Sequence, residues 1–154
     1  MTATTAPTTL LEVTTRGALV TGTEVAITSR QFSYTIDEPP ALGGTDKGAN
    51  PVEHLLAALA SCTVISYQVW ADKLGLRVDT IDVDLRGDLD LAGFLGTDES
   101  VRPGFQGIEL AITVSGPESE GEYRRLEQAV AEHCPVLDNL THGVPVTTSL
   151  EVAA

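Results

Sequence analysis

The sequence predicts an α+β fold with largely antiparallel strands, and two patterns in its 154 residues support that class. Short segments near the N-terminus and in the second half alternate apolar and polar residues, as half-buried strands do. Between them, residues 51–74 give one long apolar helix signal. Strands that precede and follow a helix, without regular alternation of strand and helix, are typical of α+β proteins.

Two strands and a loop are predicted before the long helix. Residues 24–28 and 32–36 alternate polar and apolar side chains, and Gly17 and Gly22 are expected to serve turns nearby. Residues 37–49 are dense in proline and glycine, which predicts a loop.

The long helix has clear start and stop signals. Asn50 is a good N-cap, Pro51 suits the first helical position and Glu53 is placed to close a capping box. Gly75 ends the helix after Leu74. Because its apolar residues point in all directions, we expect it to be buried, with a second subunit covering part of it.

The second half predicts two alternating strands, the loop between them, a second helix and a last strand. The two alternating strands are residues 81–85 and 108–114, the loop between them is 92–104, and the last strand is 146–152. Ser119 and Glu122 have capping-box spacing at the start of the second helix, and Cys134 continues its apolar stripe. Pro135 either breaks that helix or opens a short new one.

Length and charge limit the function classes. The chain has the length of about one domain, so we expect a flexible tail over residues 1–9 and a single domain over 10–154. With 22 acidic and 9 basic residues, the net charge of −13 argues against nucleic acid and anionic membranes as partners. No run approaches the roughly 18 apolar residues of a membrane span, and the first nine residues lack the basic and apolar regions of a secretion signal. A cytoplasmic location is therefore expected, where thiols stay reduced.

Cys62 and Cys134 are the only cysteines, too few for a disulfide scaffold but enough for one redox pair. Each could instead be a small buried hydrophobic residue. Cys62 lies in mid-helix among apolar residues, so its thiol needs a nearby cation to ionise. The Cys134-Pro135 step at a new helix start would stabilise a thiolate. The spacing of 72 residues between the two cysteines is compatible with two sulfurs in contact and with two that are far apart.

Other polar residues give weaker signals. The capping box explains Glu53 fully, and nine residues along one helix place it on the side opposite Cys62. None of the three histidines, His54, His133 and His142, has paired-ligand spacing with a cysteine. Gly43-Gly44 is followed by Asp46, which disfavours a phosphate. We therefore expect neither a metal nor a bound cofactor.

Several segments together resemble the OsmC/Ohr family of bacterial thiol peroxidases, and most closely its broad OsmC-like branch. The matching segments are residues 37–39, 42–44, 50–62 (Asn-Pro-Val-Glu-His to Ser-Cys), 87–96, 101–105 and 133–136 (His-Cys-Pro-Val). The resemblance implies an intertwined homodimer in which antiparallel sheets pack around a long central helix.

The resemblance also implies a thiol-dependent reduction of organic hydroperoxides. Cys62 would be oxidised to a sulfenic acid, Cys134 would resolve it as a disulfide, and a dithiol would reduce the pair. The family places an arginine near the thiolate, for which Arg16 is the first choice and Arg30 the rival, and a glutamate on the long helix, here Glu53. Strict peroxidase members place that glutamate directly after Asn-Pro, whereas Val52 stands there in this chain.

The shift of the glutamate leaves two other functions open. One is a non-enzymatic protein that binds a small hydrophobic ligand at the dimer interface, with both thiols inert. The other is a general disulfide-exchange factor, which the lack of a Cys-x-x-Cys motif disfavours.

Overall fold

The computed structural model describes residues 9–153 and has the predicted α+β class. The described residues divide into two compact units, 9–54 and 55–153. The predicted N-terminal tail lies outside the described residues apart from Thr9. The single-domain expectation stays a prediction.

The N-terminal unit contains a three-stranded antiparallel sheet of β1 (Arg16–Thr21), β2 (Glu24–Ser29) and β3 (Phe32–Ile36), in that order. Gly22 occupies the β1–β2 turn with φ of +54°, a conformation that suits glycine. Gly17 lies inside β1 rather than in a turn. The strand β1 was not predicted, because its residues do not alternate cleanly between apolar and polar side chains.

Asp37 organises the loop that follows β3. Its buried carboxylate accepts hydrogen bonds from the hydroxyls of Thr23 and Thr45 and from three backbone N–H groups, those of Glu38, Thr45 and Lys47. These bonds lower the pKa of Asp37 far below its ordinary value, because the two threonine hydroxyls stabilise the charged form. The predicted loop is therefore ordered, and it includes a 3-10 turn at Pro40–Leu42.

Helix α1 (Pro51–Leu74) has the predicted bounds. Its capping box is present, since the Asn50 side chain accepts from the Glu53 N–H and the Glu53 carboxylate accepts from the Asn50 N–H. Gly75 follows with φ of +69°. One chain buries only one face of α1, and the expected cover by a second subunit stays a prediction. The buried residues are Leu59, Thr63, Ser66, Tyr67 and Ala71.

By length and composition alone, α1 could cross a membrane. A core helix of a soluble protein meets the same two criteria, so this finding is weak evidence for a membrane location.

The C-terminal unit contains a second antiparallel sheet, of β4 (Thr80–Leu89) and β5 (Phe105–Ser115). Both strands alternate inward and outward residues as the sequence predicts. The segment between them was predicted to be loop, but it begins with the short helix α2 (Leu91–Leu95), which the Asp90 side chain caps.

Helices α3 (Glu120–His133) and α4 (Pro135–His142) complete this unit. The capping box of Ser119 and Glu122 is confirmed. Leu126, Val130 and Cys134 form the predicted apolar stripe, and all three are buried in the core with Tyr67, Ala71 and Leu76.

The last predicted strand is wrong for the single chain. Residues 143–153 form no regular element, and Val146, Leu150 and Val152 are all at least 80% exposed. Among the described residues no strand pairs with this segment, and an unpaired strand does not form alone.

Candidate thiol site

The two cysteines meet inside the C-terminal unit. Their Sγ atoms are 3.3 Å apart although 72 positions separate them in the sequence. Both are free thiols. Cys134 is completely buried, whereas Cys62 is partly exposed. The structure thus brings together the two residues that the sequence singled out.

The position of Cys134 follows from the proline after it. Cys134 closes α3, where its N–H donates to the Val130 carbonyl at 2.9 Å, and it is also the N-cap of α4. Pro135 has no N–H to continue α3, but its fixed backbone suits the first position of a new helix. The sulfur therefore lies at the N-terminus of α4, as one of the two readings of Pro135 predicts.

The surroundings of Cys134 favour its thiolate. Burial opposes ionisation, but the pKa is lowered overall by the Leu137 and Val136 N–H groups, the Cys62 thiol and the Ser66 hydroxyl. These N–H groups belong to the first turn of α4, where the helix dipole also favours negative charge.

The surroundings of Cys62 act in the opposite direction. Burial raises the pKa of its thiol, and the adjacent Cys134 raises it further. The Val136 N–H and the Ser66 hydroxyl only partly offset this. None of the groups that shift the pKa of Cys62 is a cation. These groups therefore do not supply the positive charge that a mid-helix thiolate needs.

The remaining predicted site residues lie in the N-terminal unit. Arg16 is exposed at the start of β1. Arg30 lies in the β2–β3 turn with φ of +57°, and its guanidinium stacks 5.2 Å from the centroid of the Phe32 ring. Glu53 uses its carboxylate in the capping box. Arg16 is therefore the less engaged of the two arginines.

The histidines have local ring contacts. His133 packs on Trp70 with ring centroids 4.2 Å apart, and His54 lies 5.3 Å from Tyr34. Within residues 9–153, no group of three or more His, Cys, Asp or Glu side chains is arranged to hold a metal ion.

An apolar cavity of about 400 Å³ lies in the same unit as the thiols. Its lining includes Leu55 and Leu59 of α1, Leu137 and Leu140 of α4, and Arg102. Leu137 also packs against the core cluster that contains Cys134. The cavity and the thiol pair therefore share α1 and α4.

Ser66 is the site residue that sequence reasoning missed. It lies four positions after Cys62 on α1, and its hydroxyl acts to lower the pKa of both thiols. The spacing of four residues between Cys62 and Ser66 could have indicated this, because residues four apart share one face of a helix.

Comparison with known proteins identifies the family of the chain. A family model described as OsmC-like protein matches residues 44–149, which is more than half of the chain. The chain belongs to the OsmC-like family. A search of curated proteins found no match.

Solved structures of OsmC-like proteins share the fold. An OsmC-like protein from Mycoplasma pneumoniae is 21% identical with a TM-score of 0.73, over 84% of this chain and 87% of the other. A Legionella pneumophila structure described as an organic hydroperoxide resistance protein is 18% identical with a TM-score of 0.66, over 88% and 93%. A structure described in the same way, from Elizabethkingia anophelis, is 16% identical with a TM-score of 0.61, over 86% and 90%. At these identities the likeness establishes the fold alone.

Proposed function

We propose that this OsmC-like protein is a thiol-dependent peroxidase that reduces organic hydroperoxides. The observation that carries the proposal is the 3.3 Å separation of the Cys62 and Cys134 sulfurs. A sulfenic acid formed on one thiol would have its resolving partner already in contact. Two similar solved structures are described as organic hydroperoxide resistance proteins, which supports an organic hydroperoxide as the substrate class.

The reaction consumes two thiols and one hydroperoxide. The Cys62 thiolate attacks the terminal peroxide oxygen, the O–O bond breaks, and the alkoxide takes a proton and leaves as an alcohol. Cys134 then attacks the sulfenic sulfur, an S–S bond forms, and the hydroxyl leaves as water with the proton that Cys134 gives up. A dithiol reductant returns both cysteines to thiols by exchange.

Arg16 is the cation that we propose for the Cys62 thiolate, supplied by the same chain or by a second copy. Burial raises the pKa of this thiol, so a positive group is needed to hold it ionised at neutral pH. Arg30 is less suited because its guanidinium stacks on Phe32. Glu53 is proposed to help hold the arginine while it caps α1.

A homodimer is part of the proposal. On α1, Ile65 is 62% exposed and Val69 is 45% exposed, and in the N-terminal unit Leu19 is 72% exposed. Apolar surface on this scale is typical of an interface. A second copy that covers α1 would meet the expectation that a helix apolar on all sides is buried.

The decisive experiment follows the loss of an organic hydroperoxide in the presence of a dithiol. Wild-type protein is expected to turn over, and Cys62→Ser is expected to be inactive. Cys134→Ser should react once and then stop, because its sulfenic acid has no resolving thiol. Turnover in Cys62→Ser equal to that of the wild type would refute the proposal.

The apolar cavity favours a second candidate function, the binding of a small hydrophobic ligand by a non-enzymatic protein. Its volume of about 400 Å³ and its leucine-rich lining are typical of ligand sites. An apolar fluorescent probe distinguishes the two functions. Saturable binding that Leu140→Trp abolishes, together with thiols that do not react with peroxide, would favour the binding protein.

A further inference from the structure

Ser66 is a buried polar residue beside the thiol pair. Its side chain belongs to the covered face of α1, and the residue is only 8% exposed. Its spacing of four residues from Cys62 places both side chains on one face of the helix. The Cys62 and Cys134 sulfurs are 3.3 Å apart, so a side chain on this face lies beside the pair.

A second serine on the same helix makes the usual bond. A serine inside a helix commonly donates to the carbonyl one turn earlier, and Ser61 does so, to Ala57 at 2.8 Å. Ser66 makes no hydrogen bond of this kind to any carbonyl in the part of the chain that is described. Its hydroxyl acts instead on the thiols of Cys62 and Cys134, on both of which it favours the charged form.

We propose that Ser66 is a further residue of the thiol site, whose hydroxyl donates to whichever of the two sulfurs carries the negative charge. A hydroxyl that donates to a thiolate stabilises the charged form, whereas it has little effect on a neutral thiol. The role rests on the proposed redox function of the pair and extends it to a residue outside the cysteines.

The neighbouring titratable groups do not supply this stabilisation. Tyr67 is buried and stays protonated at neutral pH, because burial raises its pKa. His133 precedes Cys134, but its Nδ1 donates to the Ala129 carbonyl at 2.9 Å and its ring packs on an indole. Apart from Ser66, the charge on the pair is stabilised mainly by backbone N–H groups of α4.

The test measures thiol ionisation directly. The rate of alkylation by iodoacetamide is followed as a function of pH for each cysteine, with the modified peptides separated by mass. In Ser66→Ala the profile is expected to move up by about one pH unit, which slows alkylation at neutral pH about tenfold. Ser61→Ala is the matched control and should leave the profile unchanged, since that hydroxyl bonds to the backbone.

Two further variants separate the hydroxyl from packing. Ser66→Thr keeps the hydroxyl, and Ser66→Val introduces a side chain of nearly the same shape as threonine but without a hydroxyl. The threonine and valine variants can be compared with each other even if Ser66→Ala folds poorly. A wild-type profile in the threonine variant and a shifted one in the valine variant support the role. Coincident profiles in these two variants, or an equal shift in Ser61→Ala, would overturn it. The assay contains no peroxide, so a lack of peroxidase activity would be a separate result.

Discussion

Oxidation of the reduced protein by a small excess of an organic hydroperoxide is expected to join Cys62 to Cys134 within one chain. A disulfide has an S–S length of about 2.05 Å, so the sulfurs, now 3.3 Å apart, must approach by only about 1.3 Å. Small side-chain rotations can supply most of that movement. The linkage should therefore form with little change in the helices that carry it.

The stability gain can be worked from the separation in sequence. The linkage closes a loop of about 72 residues, for which the chain-entropy description gives about 4 kcal/mol of stabilisation. For a chain of this length that corresponds to a rise of about 10 °C in the melting temperature of the oxidised form.

Intact mass and thermal melting, with and without a reductant, measure the two effects. The oxidised protein should lose two hydrogens, remain a single chain on a non-reducing denaturing gel, and melt at the higher temperature. Cys62→Ser and Cys134→Ser should show neither the mass loss nor the reductant-sensitive melting. Cross-linked chains, or an oxygen gained without loss of hydrogen in the wild type, would refute the intramolecular pair.

Three other changes test the packing and electrostatics. Leu126→Ala should lower the free energy of unfolding, measured in urea, by about 3 kcal/mol, because Leu126 is fully buried. Leu95→Ala, at a 60% exposed position, should lower it by less than about 0.5 kcal/mol. Equal losses in the two variants would contradict the assigned core. The pKa of Asp37 is lower in the folded than in the unfolded chain, so the charged carboxylate stabilises the fold above about pH 4, and this stabilisation is lost as the pH falls below that. The melting temperature of Asp37→Asn should therefore depend less on pH in the acid range than that of the wild type. An unchanged dependence would contradict this. Arg16→Ala should slow alkylation of the Cys62 thiol at neutral pH about tenfold, because the proposed cation is lost. Arg30→Ala should leave that rate unchanged. The reverse result would assign the stabilisation of the Cys62 thiolate to Arg30.

Local signals predicted the helices well because their causes are local. The capping box at Asn50 and Glu53, the glycine at position 75 and the box at Ser119 each satisfy or end a helix through neighbours within a few residues. Each feature is complete in the sequence, so no knowledge of distant residues was needed to place the helix ends.

Strand prediction failed where pairing decides the structure. Residues 16–21 have little alternation and yet form β1, because β2 offers a partner next to them. Residues 146–152 alternate well but remain irregular in one chain. A strand depends on a neighbour, and the pattern within a segment does not say whether that neighbour exists.

The thiol site was predictable only in part. From the residues alone, the Cys-Pro step allowed either a helix break or a new helix at Pro135, and the structure has the new helix. The contact between Cys134 and Cys62 was implied only by the family resemblance. Contacts across 72 positions depend on the packing of α1 against α3 and α4, which spacing does not encode.

Burial and charge are distributed unequally between the two sulfurs, and this inequality suits a two-step reaction. Negative charge is held more easily on Cys134, but that sulfur is fully covered, whereas Cys62 is partly exposed and has the higher pKa. In the proposed reaction, a peroxide would therefore meet the sulfur that ionises less readily. Because the sulfurs are in contact, transfer of the proton from Cys62 to Cys134 would create the thiolate where the peroxide attacks, and a nearby cation would lower the cost of that transfer. Once Cys62 is oxidised, Cys134 would lose its proton again at the N-terminus of α4 and become the nucleophile of the proposed second step.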